Sequence, residues 1–244
     1  MEKILELNAL CKKYETFELS DISFSVEKGE VMGFVGRNGA GKTTTLKSML
    51  NLVRPDSGNV KILGMDFLGN EDEIKKQIGY VVGGVSYYKR KKIKEIAAIT
   101  RIFYPEWDDE EYKHYLTVFK INENKKLMEL SEGMKVKFFL TLALSHHAKL
   151  LILDEPTSGL DPVSRDELTE ILKKLAEKGV TILFSTHITS DLDKCADSVT
   201  YIKSGKLVFS KKKDELINDY AIEMGRKPSL EDIMVYVEKE EVVI

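Results

Sequence analysis

The stretch Phe34–Leu50, FVGRNGAGKTTTLKSML, sets Gly36, Gly39 and Gly41 between an apolar run and a segment of helical texture, with Lys42 and Thr43 directly after the last glycine. A buried strand that ends in glycines and turns at once into a helix commits the chain to strand–loop–helix units. Those units pack as a mostly parallel sheet with helices on both faces, an α/β fold.

The pattern G-x-x-x-x-G-K-[ST] is met by Gly36, Gly41, Lys42 and Thr43. In such a loop successive backbone N–H groups curl around a phosphate, and a Cβ at the glycines blocks the close approach. The helix that follows points its positive end at the anion. Lys42 then reaches the β and γ phosphates, and the Thr43 hydroxyl is available to Mg²⁺. The loop binds a nucleoside triphosphate, but alone it does not separate GTPases, kinases, helicases and transporters.

A second element narrows the choice. In LLILDEP the apolar residues Leu150–Leu153 precede Asp154 and Glu155, so a buried strand delivers two carboxylates to the tip of the sheet, where ligands bind in open α/β folds. Asp154 suits a Mg²⁺ ligand. Glu155 suits a general base on an attacking water, worth about 10²–10⁴ in rate. The plainer reading of this stretch is a solvated strand end.

The remaining pattern is alternating. Residues 4–8 and 22–26 read as short strands, IGYVVGG as another, and VTILFSTH as one more, ending at His187. Apolar residues recur at helical spacing between about Val85 and Lys149, which marks a helical insertion. Asp161 and Pro162 start a helix whose stripe is Leu168, Ile171, Leu172 and Leu175 and whose end is Gly179. DSVTYIKSGKLVFS reads as a strand pair around Ser204–Gly205, and the tail from Lys211 as helical and charged.

Composition limits the partners. The formal net charge of −3 offers no global basic surface for nucleic acid. YYKRKKIK, Tyr87–Lys94, is a local exception, and such a run is usually a solvated surface. Cys11 and Cys195 stand far apart, without a CxxC pair, and read as reduced thiols. No apolar run approaches the ~18 residues needed to cross a bilayer, and the N-terminus has no signal-peptide pattern.

Taken in order, GRNGAGKTT, LSEGM (Leu130–Met134), LLILDEP, SGLD (Ser158–Asp161) and STH ending at His187 resemble the nucleotide-binding subunit of ATP-binding cassette (ABC) transporters, and the departures noted below, with FYPEWD at Phe103–Asp108, resemble its bacterial exporter-type branch. The likeness runs from about Leu5 to about Val237. It implies a P-loop cassette with a mostly parallel core sheet, an N-terminal antiparallel β part and a helical subdomain. Residues 1–244 would form one domain: a core lobe of about 1–84 and 150–210, a helical subdomain of about 85–149 and a helical tail of about 211–244. It implies hydrolysis of ATP with Mg²⁺, catalysed by Glu155 and His187, with Thr43 and Asp154 on the metal. Nucleotide contacts would come from Tyr14 under adenine, from Gly36, Arg37, Asn38, Gly39, Ala40, Gly41, Lys42, Thr43 and Thr44, and from Ser131, Gly133 and Asp161. Ser131 and Gly133 would serve the nucleotide held by a second cassette, so a homo- or heterodimer is expected.

The implied partner is a transmembrane permease subunit, through which this chain would sit peripherally on the cytoplasmic face of the cell membrane. A helix of it would enter near Gly83–Lys92, with Tyr87, Tyr88 and the Lys/Arg run in contact. The alternative is a soluble ABC-type ATPase acting on DNA or ribosomes. Against it stand the single phosphate loop, the acidic balance, and the absence of heptads or CxxC pairs between Lys42 and Asp154. A P-loop kinase would leave LSEGM and SGLD unexplained.

Two departures stand out. A glutamine usually follows the strand read here as IGYVVGG, and Gly83 or Gly84 fills its place. In the LSEGM motif, Glu132 replaces a glycine and Met134 a glutamine, which brings a carboxylate toward a γ-phosphate.

Overall fold

A computed structural model describes residues 2–84 and 88–239. Strands β1 (Lys3–Lys13) and β2 (Glu18–Glu27) form an antiparallel pair, and β3 (Val31–Val35) runs straight into the glycine loop and α1 (Lys42–Met49). Next come β4 (Ser57–Ile62), β5 (Met65–Asp66), α2 (Glu71–Lys75) and β6 (Ile78–Val82). The helical stretch holds α3 (Ile93–Arg101), α4 (Asp109–Val118), a 3-10 turn at Leu127–Glu129 and α5 (Glu132–Ser145). The chain returns through β7 (Leu150–Asp154), α6 (Pro162–Glu177), β8 (Thr181–Thr186), α7 (Thr189–Cys195), β9 (Ser198–Lys203) and β10 (Lys206–Lys212), and closes with α8 (Lys213–Met224) and α9 (Leu230–Lys239).

One sheet contains all ten strands in the order β5-β4-β1-β2-β10-β9-β3-β8-β7-β6. The half from β9 to β6 is parallel, and β1, β2, β4 and β5 pair antiparallel. The parallel strands are apolar at successive positions because both of their faces are covered. Val31 and Val35 pack into one core cluster with α5, α6 and α7, whereas Met32 and Phe34 pack into the other with Leu46 and Met49 of α1. The same alternation runs along β7, Leu151 and Leu153 on one side, Leu150 and Ile152 on the other. Ile93, Ile96 and Ala97 of α3 and Tyr112 and Leu116 of α4 join the first cluster, so the helical stretch is anchored in the sheet's own core.

Register decides where the chemistry sits. Val35 pairs with Thr186, Asp154 with Ser185, and Val82 with Asp154. Four parallel strands therefore stop at one level, and the next residue of each is Gly36, His187, Glu155 or Gly83.

One boundary differs from the sequence reading. The helical tail begins at Lys213, because Lys211 and Lys212 continue β10 opposite Val199 and Ser198. Lys212 is fixed there by Glu27 at 2.8 Å and Glu30 at 3.1 Å. Among the described residues no helix is long and apolar enough to cross a membrane.

Candidate functional site

Gly41 adopts φ +111°, which a side chain disfavours, and a Cβ there would lie 2.8 Å from Phe17 Cζ. It caps α1 through its backbone alone, and no side chain bonds to the helix start. The first amides of α1 are thereby left for an anion, and the helix dipole favours one there. The loop is held from behind: Ala40 donates to Arg37 O at 3.1 Å, and Gly205 donates to Ala40 O at 2.9 Å. Thr43 is exposed at the helix start and Thr44 half-buried. Arg37 is 78% exposed and lies 3.7 Å from Glu238 of α9, while Asn38 and Gly39 are exposed.

Lys42 is only 6% exposed. Its ammonium donates to Gly36 O at 2.7 Å and Arg37 O at 3.3 Å and meets Glu155 Oε1 at 3.0 Å. The other carboxylate oxygen of Glu155 is 2.8 Å from His187 Nδ1. Glu155 thus joins the start of α1 and the ends of β7 and β8 through one carboxylate. It holds a left-handed backbone, φ +51°, uncommon for a residue with a side chain. Its N–H donates to Ser185 O at 3.1 Å and Ser185 Oγ at 3.0 Å, and its carbonyl accepts from Ser158 N–H at 3.2 Å. Strain of this sort, about 1–3 kcal/mol, persists only where neighbours fix it.

Asp154 is buried, and its Oδ1 accepts from Ser185 Oγ at 2.7 Å and from Thr43 Oγ1 at 3.3 Å. Thr43 and Asp154 therefore offer two hard oxygens side by side. Among the described residues no group of three or more His, Cys, Asp or Glu side chains is disposed to hold a metal. Two oxygens fit Mg²⁺, which keeps several waters and shares phosphate oxygens, better than an ion caged by protein alone.

Tyr14 is 43% exposed, with the Lys12 ammonium 5.7 Å from its ring centroid. Its N–H donates to Phe17 O at 2.8 Å, and Phe17 abuts Gly41, so the Tyr14 turn adjoins the phosphate loop. Ser131, Gly133 and Asp161 form a second group. Ser131 Oγ caps α5 by accepting from Met134 N–H at 3.3 Å. Asp161 caps α6 by accepting from Val163 and Ser164 N–H at 3.0 and 3.1 Å, and the Ser164 hydroxyl holds its carboxyl below the usual range. A Cβ on Gly133 would lie 3.3 Å from Ser164 Cβ, which ties the two caps together. Among the described residues, none of the three hydrogen-bonds to Lys42, Asp154, Glu155 or His187.

Both sequence departures have local accounts. Glu132 pairs with Lys135 at 2.6 Å, so its charge is partnered within the first helical turn. Gly83 donates to Asp154 O at 2.8 Å, and a Cβ there would lie 2.2 Å from Glu155 O. Gly83, one of the two positions for the glutamine, is pressed against the backbone of Glu155, whereas a Cβ on Gly84, at φ +70°, would meet nothing within 4 Å. Tyr87 lies outside the described residues. His146 is buried and stacked on Tyr104 with ring centroids 3.7 Å apart, a packing role away from the strand tips.

Three contributors were missed from the sequence. Ser185 orients Asp154, and the one cue was a hydroxyl in an apolar strand. Phe17 backs the loop without any motif. Lys135 stands three residues after Glu132, a spacing that brings helical side chains together.

The ABC transporter family model matches residues 19–158. The bacitracin transport ATP-binding protein BcrA of Bacillus licheniformis is 35% identical, over 93% of this chain and 74% of its own length. The ABC transporter ATP-binding protein YtrB of Bacillus subtilis (strain 168) is 31% identical, over 89% and 75%. A solved structure described as the ATP-binding subunit of an ABC transporter matches with a TM-score of 0.85 at 27% identity, over 97% of this chain and 100% of that one.

Proposed function

Because this chain belongs to the ABC transporter family, as an ATP-binding subunit of the kind that hydrolyses ATP to drive transport, we propose that it powers export through a separate membrane subunit, closing on ATP as a dimer of cassettes. Relatives named for bacitracin transport and, as a probable role, for multidrug transport support the export direction. The chain then sits at the cytoplasmic face of the membrane, held there by the subunit it drives. In this reading the division into a core lobe, a helical subdomain and a tail serves the closing motion.

The observation that carries the reading is the convergence of Lys42, at the start of α1, with Glu155 and His187, which directly follow β7 and β8. A γ-phosphate competes with Glu155 for the Lys42 ammonium. Released from Lys42, Glu155 takes the proton of the attacking water as it adds to the γ-phosphorus and the bond to ADP breaks. His187, already bonded to Glu155, holds that carboxylate in line. The loop from Gly36 to Thr44 receives the phosphates, and Tyr14 lies under the base. Thr43 and Asp154 hold Mg²⁺, whose chemistry is to neutralise the charge that develops on the phosphates. Ser131 and Gly133, at the start of α5, face the γ-phosphate bound by the other cassette, and Asp161 lines the same joint.

The segment from Gly83 to Lys92 receives a helix of the membrane subunit, and Gly83 relays that contact to Glu155. Co-expression with a polytopic membrane protein encoded beside this chain tests the reading. The two should copurify in detergent with an ATPase rate that responds to assembly. A chain that never associates with a membrane protein and hydrolyses ATP identically alone would overturn it.

A further inference from the structure

Helix α7 begins one residue after Ile188, which directly follows His187, and its start has little of its own to hold it. The helix spans only Thr189–Cys195, and no side-chain hydrogen bond caps it. A helix this short is marginal without tertiary contacts. Leu192 and Cys195 are buried in the core, and a Cβ on Gly33 of β3 would lie 2.6 Å from Leu192. These anchors lie in the later part of α7 and leave its first residues, beside His187, to be held by other means.

Arg165 of α6 holds them. Its Nη2 and Nε donate to Asp191 Oδ1 at 2.7 and 3.2 Å, and Nη2 also donates to Ser190 Oγ at 3.2 Å. Asp191 is 3% exposed, and its Oδ2 has no hydrogen-bond partner among the described residues. A buried carboxylate with one cation resists displacement, because moving away from that cation leaves its charge unpaired. The Asp191 N–H donates in turn to Ile188 O at 3.3 Å. At the other end the Arg165 N–H donates to Asp161 O at 3.0 Å in the first turn of α6. A second ion pair between the two helices, Lys194 with Asp166, is exposed at both ends, where such pairs hold little.

We propose that Arg165 is a positioning residue for hydrolysis. By gripping Asp191 it fixes the turn that carries His187, and with it the 2.8 Å contact of His187 Nδ1 with Glu155 Oε2. Among the described residues Arg165 makes no hydrogen bond to Lys42, Asp154, Glu155 or His187, so its action runs through Asp191. The proposal rests on the roles given above to Glu155 and His187.

ATPase assays on a cycle of variants test it. Arg165→Met/Asp191→Leu removes both charges together, a replacement that buried pairs commonly tolerate. It should keep the unfolding midpoint and the ATP Kd of the parent while kcat falls roughly 100-fold, the loss that a misplacement of about 1 Å brings. Arg165→Lys keeps a charge beside Asp191 but not the planar fork, so it should fold as the parent does and also lower kcat. His187→Ala should be slow by itself, and adding either change to it should slow it no further, because residues that act as one unit are not additive. Parent kcat in either variant, a raised KM with kcat unchanged, or losses that multiply with that of His187→Ala would each overturn the proposal and leave the roles of Glu155 and His187 standing. His187→Ala at the parent rate would overturn those roles, and the proposal with them.

Discussion

Glu155 Oε1 lies 3.0 Å from Lys42 Nζ, although the two residues follow different strands. The lysine that should hold a phosphate is thus partnered by the carboxylate that should activate water, and one exchange of partners can couple binding to catalysis.

Lys42→Ala removes the charge-assisted contact to phosphate. The expected result is an ATP Kd raised about 10–100-fold, from the loss of roughly 1.5–3 kcal/mol. Titration calorimetry checks this, and an unchanged Kd would contradict the role given to the loop.

Gly83→Gln places the missing side chain at one of its two candidate positions, where a Cβ would lie 2.2 Å from the Glu155 carbonyl. The forced shift should cost about 1–3 kcal/mol of stability and lower turnover, because the displaced backbone carries Glu155. Thermal unfolding and a phosphate-release assay measure both. Faster hydrolysis at an unchanged midpoint would mean that the glycine is a defect and not a fit.

Ser185→Ala leaves the buried Asp154 without its 2.7 Å donor and the Glu155 amide without one acceptor. Residues that orient a metal ligand typically account for about 10–100-fold in metal affinity or activity. ATPase rates measured against Mg²⁺ concentration should show a half-saturation point raised by about that factor. A curve that superposes on the parent's would remove Ser185 from the site.

Burial pushes the His146 imidazole down to about 4, below the 6.5 of a free histidine. The unfolded chain then binds more protons than the folded one between those values, so stability rises with pH across that window and is lost as pH falls through it. The loss by pH 4 is up to about 3 kcal/mol. His146→Phe keeps a ring against Tyr104 and cannot take a proton. Urea midpoints at pH 7 and pH 5 should fall further for the parent than for this variant, and equal falls would show that His146 sets none of the slope.

The motifs at the strand ends were legible because their spacing is local: a glycine loop before a helix, two carboxylates after an apolar strand, a cap before Pro162. The contacts that make them a site were less so. Ser185 reaches Asp154 only because β8 lies beside β7 in that register, and no local pattern states which strands are neighbours. A missing side chain is read in the sequence at Gly83 or Gly84, and Gly83 becomes a packing requirement once β6 and β7 are paired. Two basic segments, at Lys89 and Lys125, join only through backbone bonds across the helical stretch. Lys211 and Lys212 carry a helical charge pattern but follow the strand, because carboxylates of β2 and of the turn after it hold Lys212.

In the proposed cycle, ATP joins two of these chains across their nucleotides and Glu155 then opens the joint by hydrolysis. Light scattering of Glu155→Gln with ATP and Mg²⁺ tests it most directly, together with a turnover assay. The variant should show twice the mass of one chain in ATP, the mass of one chain without it, and hydrolysis slowed by about 10²–10⁴. A single-chain mass at every concentration, with turnover at the parent rate, would contradict it.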